Sequence, residues 1–371
     1  MYETLRNINS IIERDSKDTT YKFALLRGTI EVIQEHSPYT WIDGDRVVLP
    51  LGLLVLKWME YYYPIIKAEL PQKNGDNVHG RSLAFRADFK KLTDYYDDRG
   101  GLSVFIHEIR RGQVPADASP LVLKVFRKIR NTIIKQPMRY IGKSVNQNEY
   151  SIFNLLNNER QLRQRADFDA QYLIEHAGFF SIPRTYFDVF ELMGSFVTGY
   201  HSILMGWAKF TEEKSSDLSL EHVLEVMLDS PVEARNVQVS SRLFNELMVK
   251  NNGLECVWSG KTIKKGMHID HVLPFSVWRN NDLWNLLPTS AKMNSKKSDK
   301  IPSNQLLETS KDRIIGYWEY LRQQEPIGFE RELKVSLIRD MDNWENQAFN
   351  SLKDKCLYLT ETRGFDVFES V

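Results

Sequence analysis

Polar and cationic side chains gather between Leu254 and Ser303. Their types suit the hydrolysis of a phosphodiester, which requires an activated water, a cation on a non-bridging oxygen and relief of charge on the leaving oxygen. Asp270 and His271 are adjacent, Asn285 follows, and Asn294, Lys296 and Lys297 come a few residues later. A neutral histidine can take a proton from water near neutral pH. An Asp carboxylate and an Asn amide oxygen suit one hard divalent cation, Mg²⁺ or Mn²⁺, which keeps several waters and takes its other ligands from the substrate. Lys296 and Lys297, with Lys261 upstream in Ser259-Gly260-Lys261, fall where a phosphate strand could pass.

These groups need a small scaffold to position them. Cys256-Val257-Trp258 reads as a short strand, Ser259-Gly260-Lys261 as a turn, and Met267 to Val272 as a returning strand that Pro274 ends. A loop through Asn280, Asn281 and Asp282 leads to Leu283–Leu287, and Thr289 is a cap for a helix reaching about Ser298. Strict alternation puts Asp270 and His271 on opposite faces of their strand, so both reach one metal only where that strand ends or bulges. His268 shares the alternation of Asp270 and reads as either an indirect supporter of the site or a partly exposed strand residue.

The segment resembles the HNH (ββα-metal, or His-Me finger) endonucleases. It carries Asp270-His271-Val272-Leu273-Pro274, then Asn285-Leu286, then Asn294-Ser295-Lys296-Lys297, and the run from Asn294 to Pro302 is similar to the HNH domain of RNA-guided nucleases. The resemblance implies His271 as general base, Asp270 and Asn294 as metal ligands, and Asn285 as the brace of the loop behind His271. It also implies a single divalent cation and products with 5′-phosphate and 3′-hydroxyl ends. Many relatives carry paired cysteines on a structural zinc. Here only Cys256 and Cys356 are present, so no structural zinc is expected and packing by Trp258, Trp278, Trp284 and Leu286 must hold the module.

The other parts of the 371-residue chain read mainly as helix. The expected architecture is mainly α: a helical target-recognition or regulatory region at 1–250, an HNH module at 251–303 and a helical extension at 304–371. Phe23 to Ser37 has helical apolar spacing, and Trp41 to Val48 around Asp43-Gly44-Asp45 reads as a hairpin. Leu51 to Tyr63 reads as a buried helix with an aromatic end that Pro64 ends or kinks. Ser119-Pro120 suggests a cap and a first helical residue, and Arg184 to Phe210 and Val232 to Lys250 read as further helices. From Ile109 to Lys143 there are nine basic residues and one acid, so Lys124, Arg127 and Lys128 are candidates for nucleic-acid contact, or simply a solvated face paired with acids.

Lys+Arg and Asp+Glu are each 49, so net charge points to no partner class. Two cysteines exclude a disulfide scaffold and suggest a reducing compartment. The N-terminal residues lack signal-peptide character, and Met193 to Trp207 is too short and too interrupted for a membrane span. Gly142-Lys143-Ser144 and Gly260-Lys261-Thr262 fail as phosphate loops, having Pro137 and Glu255 where the first glycine belongs. The reading is a cytoplasmic, metal-dependent DNA endonuclease, nicking or cutting both strands, in restriction or phage defence, with other defence proteins as potential partners and no membrane. The alternatives are an RNA-cleaving effector and a non-catalytic nucleic-acid binder.

Overall fold

A computed structural model describes residues 2–75, 82–142, 151–156, 162–163, 168–198, 203–228 and 236–369. The fold is mainly helical, and the chain forms two units, Met1–Pro231 and Val232–Val371. No helix among the described residues is long and apolar enough to cross a membrane.

The first unit is built on the helix Leu51–Lys67, in which every residue from Leu51 to Ile66 except Lys57 and Glu60 is buried. A helix apolar on all sides can only be a core element, and Tyr61, Tyr62 and Tyr63 are packing residues within it. Pro64 neither ends nor breaks it. Only one backbone donor is lost there, and the last turn closes through Ala68 N–H on the Pro64 carbonyl at 2.9 Å and Leu70 N–H on the Ile65 carbonyl at 3.0 Å. Gly52 is required by a close approach: a Cβ there would lie 2.3 Å from the Leu173 carbonyl oxygen. Beside this helix β1 (Trp41–Asp43) and β2 (Arg46–Pro50) form the expected hairpin, turning at Gly44 with φ +60°. With β3 (Asn154–Leu156) and β4 (Phe179–Pro183) they make an antiparallel sheet in the order β1-β2-β4-β3.

The basic helix spans Ser119–Lys135. Ser119 is its first residue rather than its cap, and Ala118 takes the cap position with no side-chain bond. The stretch expected from Arg184 to Phe210 forms helices Arg184–Thr198 and Ile203–Glu212. Lys143 and Ser144, part of a rejected phosphate loop, lie outside the described residues.

In the second unit the helix Gln238–Lys250 stops at Asn251-Asn252-Gly253, with Gly253 at φ +138°. The polar module follows, then helices Asn304–Gln324, Pro326–Ser336 and Trp344–Leu357. Module and helices share one core containing Trp258, Trp284, Leu286, Leu307, Trp318, Phe329 and Leu352. The chain returns to the module at its end, where β9 (Ile301–Pro302) pairs in parallel with β10 (Val367–Phe368).

Candidate active site

The strands of the module pair differently from the sequence expectation. Residues 256–260 turn rather than extend, closed by Gly260 N–H on the Cys256 carbonyl and Cys256 N–H on the Lys261 carbonyl, each 2.8 Å. The short pair is therefore β5 (Leu254–Glu255) with β6 (Thr262–Ile263). The strand carrying the motif, β7 (Met267–His271), pairs antiparallel with β8 (Leu286–Ser290), placing Asp270 opposite Leu287 and His271 opposite Leu286. The turn is tied to this sheet by Val257 N–H on the Pro288 carbonyl at 3.0 Å. Ser290, not Thr289, caps the helix Ala291–Lys297 through its oxygen on Met293 N–H. Thr289 stays in β8 and contacts the buried Cys256 sulfur at 3.3 Å. Burial opposes ionisation of that thiol, but contacts from Ser259, Thr289 and the Ser290 backbone outweigh it and bring its pKa down to about 7. Burial pushes the Cys356 thiol up to about 12.

Strand alternation is obeyed at the centre. The Asp270 side chain, 2% exposed, accepts the Trp258 indole N–H at 2.7 Å and faces Lys297, whose ammonium is 3.2 Å away. The His271 ring, 1% exposed, turns to the following loop, with Nε2 3.0 Å from Asn281 Oδ1 and Phe275 edge-on at 5.5 Å. Lys297 spans the divergence, since its Nζ also donates to the His271 backbone carbonyl at 2.6 Å. Lys297 is thus not on a phosphate-facing surface: it is fully buried, on the same helix face as Met293 four residues earlier. Lys296 and Lys261 are exposed.

Asn285 is buried and clamps the backbone that follows His271. Its Oδ1 accepts Leu273 N–H at 2.8 Å, its Nδ2 donates to the Leu273 carbonyl at 3.0 Å, and its own carbonyl accepts Val272 N–H at 2.8 Å. The backbone immediately after His271 is thereby fixed in one conformation. Asp282 secures the loop below by accepting from Trp284, Asn280 and Ser336, while Glu332 takes Leu283 N–H at 2.7 Å. Asn294 is half-buried one turn before Lys297, and its amide makes no hydrogen bond to another described residue. His268 is exposed, and Trp278 is only half-buried, with Lys355 over its ring at 5.1 Å.

Among the described residues no cluster of three or more His, Cys, Asp and Glu side chains could hold a metal. Both oxygens of the Asp270 carboxylate are engaged, one by the Trp258 indole and both by the Lys297 ammonium. By type, an Asp carboxylate and an Asn amide oxygen are hard ligands that suit a cation keeping its waters and taking phosphate oxygens, as Mg²⁺ and Mn²⁺ do.

The other candidates lie in the first unit. Lys124 and Lys128 sit 2.9 and 2.6 Å from the buried carboxylate of Asp88, and the Arg127 guanidinium donates to the Leu162 carbonyl. These three side chains thus have partners within their own unit, while those of Lys124 and Lys128 remain 57% and 41% exposed. Sequence reasoning gave Trp258 only a packing role and Asn281 only a place in the loop, whereas they contact Asp270 and His271. Nothing in their spacing marks them, whereas the four-residue spacing of Met293 and Lys297 could have signalled an inward lysine.

Two family models match the chain. One, described as a domain of unknown function (DUF8808), covers residues 2–227; the other, described as HNH endonuclease, covers 256–303. The module is thus an HNH nuclease module, as the motif implied. No curated protein and no solved structure matches the chain.

Proposed function

The chain belongs to the family of the domain of unknown function DUF8808 and carries an HNH endonuclease module, and from this we propose that it is a divalent-metal-dependent DNA endonuclease. Asp270 and Asn294 would hold one Mg²⁺ or Mn²⁺. When bound, that cation polarises a non-bridging phosphate oxygen and relieves charge on the leaving oxygen. His271 takes a proton from water as the water oxygen bonds to phosphorus. The bond from phosphorus to the 3′ oxygen breaks, and that oxygen takes a proton from solvent, leaving 5′-phosphate and 3′-hydroxyl ends.

The remaining residues prepare this step. Asn285 holds the turn behind His271, and the Lys297 cation offsets the buried Asp270 charge. Exposed Lys261 and Lys296 meet the phosphate backbone. The helical region up to residue 250 selects or restrains the target, 251–303 cuts, and 304–371 supports the module. A nuclease joined to a large non-catalytic region suits restriction or phage defence inside the cell. One such centre cuts one strand, so a monomer nicks.

The observation that carries this reading is the clamp of Asn285 on both backbone groups of Leu273, two residues beyond His271 and inside the HNH match. The test is cleavage of supercoiled plasmid with Mg²⁺ or Mn²⁺ by wild type, His271→Ala and Asn294→Ala, beside a matched RNA panel. Undiminished cutting by His271→Ala removes the proposed base. Cleavage of RNA alone replaces the substrate, and calorimetry showing no metal binding dependent on Asp270 and Asn294 favours a non-catalytic binder.

A further inference from the structure

The imidazole of His271 has two nitrogens, and in the neutral ring only the one without hydrogen can accept a proton. Its own position does not say which that is. The neighbouring amide does. Asn281 Oδ1 lies 3.0 Å from His271 Nε2 and also 3.2 Å from the backbone nitrogen of Asn236. A backbone N–H can only donate, so the amide atom facing both groups is the oxygen; reversing the amide would set N–H against N–H. An oxygen there accepts from Nε2, and Nε2 therefore carries the hydrogen.

We propose that Asn281 is a positioning residue that holds His271 as its Nε2–H tautomer and so makes Nδ1 the nitrogen that takes the proton from water. The second clause rests on the nuclease reading; the tautomer itself does not. Asn281 can do this because its loop is stiff. Asn280 Oδ1 accepts Asp282 N–H at 2.6 Å, Asn280 Nδ2 donates to Asp282 Oδ2 at 2.8 Å, and Arg279 adopts φ +26°. On the far side Asn236 is anchored by Gln238 N–H on its own Oδ1 at 3.2 Å. A hydrogen bond supported from behind in this way fixes tautomer and ring orientation together.

The experiment uses the full chain labelled with ¹⁵N-histidine at a pH where imidazole is neutral, with His271 assigned by the signals lost in His271→Ala. Long-range ¹H–¹⁵N spectra distinguish the nitrogen bearing hydrogen from the one bearing a lone pair. Wild type is expected to show hydrogen on Nε2. Asn281→Leu, which keeps bulk but removes the acceptor, shifts the tautomer ratio toward Nδ1–H about fivefold, the weight of one ordinary hydrogen bond. Asn281→Asp, which keeps an acceptor, restores the wild-type pattern and guards against misfolding of the leucine variant. In cleavage assays Asn281→Leu lowers kcat while KM is unchanged. Hydrogen on Nδ1 in wild type, or the same ratio in wild type and Asn281→Leu, overturns the proposal. A wild type that shows the Nε2–H pattern yet cleaves neither DNA nor RNA defeats the nuclease reading and leaves the positioning role standing.

Discussion

The Lys297 ammonium lies 3.2 Å from each oxygen of the Asp270 carboxylate, and neither side chain has more than 3% of its surface exposed. Removing one member of such a pair leaves an uncompensated charge in the interior, which costs more than the pair itself contributes. Lys297→Met is expected to destabilise the second unit by about 3–5 kcal/mol, read by urea denaturation followed through tryptophan fluorescence. Lys296→Ala, exposed on the same helix, should stay within about 0.5 kcal/mol while weakening nucleic-acid binding. Equal stability of the two variants would refute the buried placement of Lys297.

Asn285 can be tested by the same measurement with a sharper chemical contrast. Asn285→Ala strands both Leu273 N–H and Leu273 C=O, at a cost on the order of 2–4 kcal/mol. Asn285→Asp keeps the acceptor for the N–H but sets a carboxylate oxygen against the carbonyl where an amide N–H had donated. Its stability should fall as well, and plasmid cleavage should be lost in both variants. A fully stable Asn285→Asp protein would rule out the bidentate clamp.

Trp258 separates packing from polarity at the Asp270 carboxylate. Trp258→Phe keeps an aromatic ring in the core but deletes the indole N–H that lies 2.7 Å from Oδ2. A hydrogen bond to a charged group is worth about 1.5–3 kcal/mol, and a loss of that size is expected in denaturant midpoints. Trp258→Ala adds the cavity and should cost about 3–5 kcal/mol. If Trp258→Phe is as stable as wild type, the indole hydrogen contributes nothing.

The first unit carries a pH signature through Asp88. Hydrogen bonds from Lys128, then Lys124, hold its carboxyl below the ordinary carboxylate range against the opposing effect of burial. A carboxyl depressed in the folded state stabilises above its ordinary value near about 4 and loses that contribution as pH falls through the lowered value. Because both lysines are partly solvent-exposed, the effect should be about 1 kcal/mol or less. Acid unfolding of wild type and Asp88→Asn, followed by circular dichroism, should show the variant less stable at neutral pH and the difference closing below about pH 4. A constant difference down to the acid limit would show that ionisation of Asp88 is not the source.

Residue type and local spacing determined much of this protein. The Asp270-His271 pair, Asn285 and Asn294 lie in the segment that the HNH family model matches, as their identity and spacing implied. The burial of Leu51 to Ile66 and the hairpin at Gly44 follow from patterns that neighbouring residues set among themselves. Tertiary packing decided the remainder. Lys297 points inward because its helix face lies on β7 and β8, and a carboxylate buried there requires a cation. The motif strand pairs with β8, leaving residues 256–260 to turn and deliver Trp258 to Asp270 across twelve positions. Pro64 stays inside a helix because tertiary burial of its last turn outweighs one missing hydrogen bond. Contacts of this kind depend on which distant elements meet, and a hydrogen-bond partner has no periodicity along the chain from which it could be read.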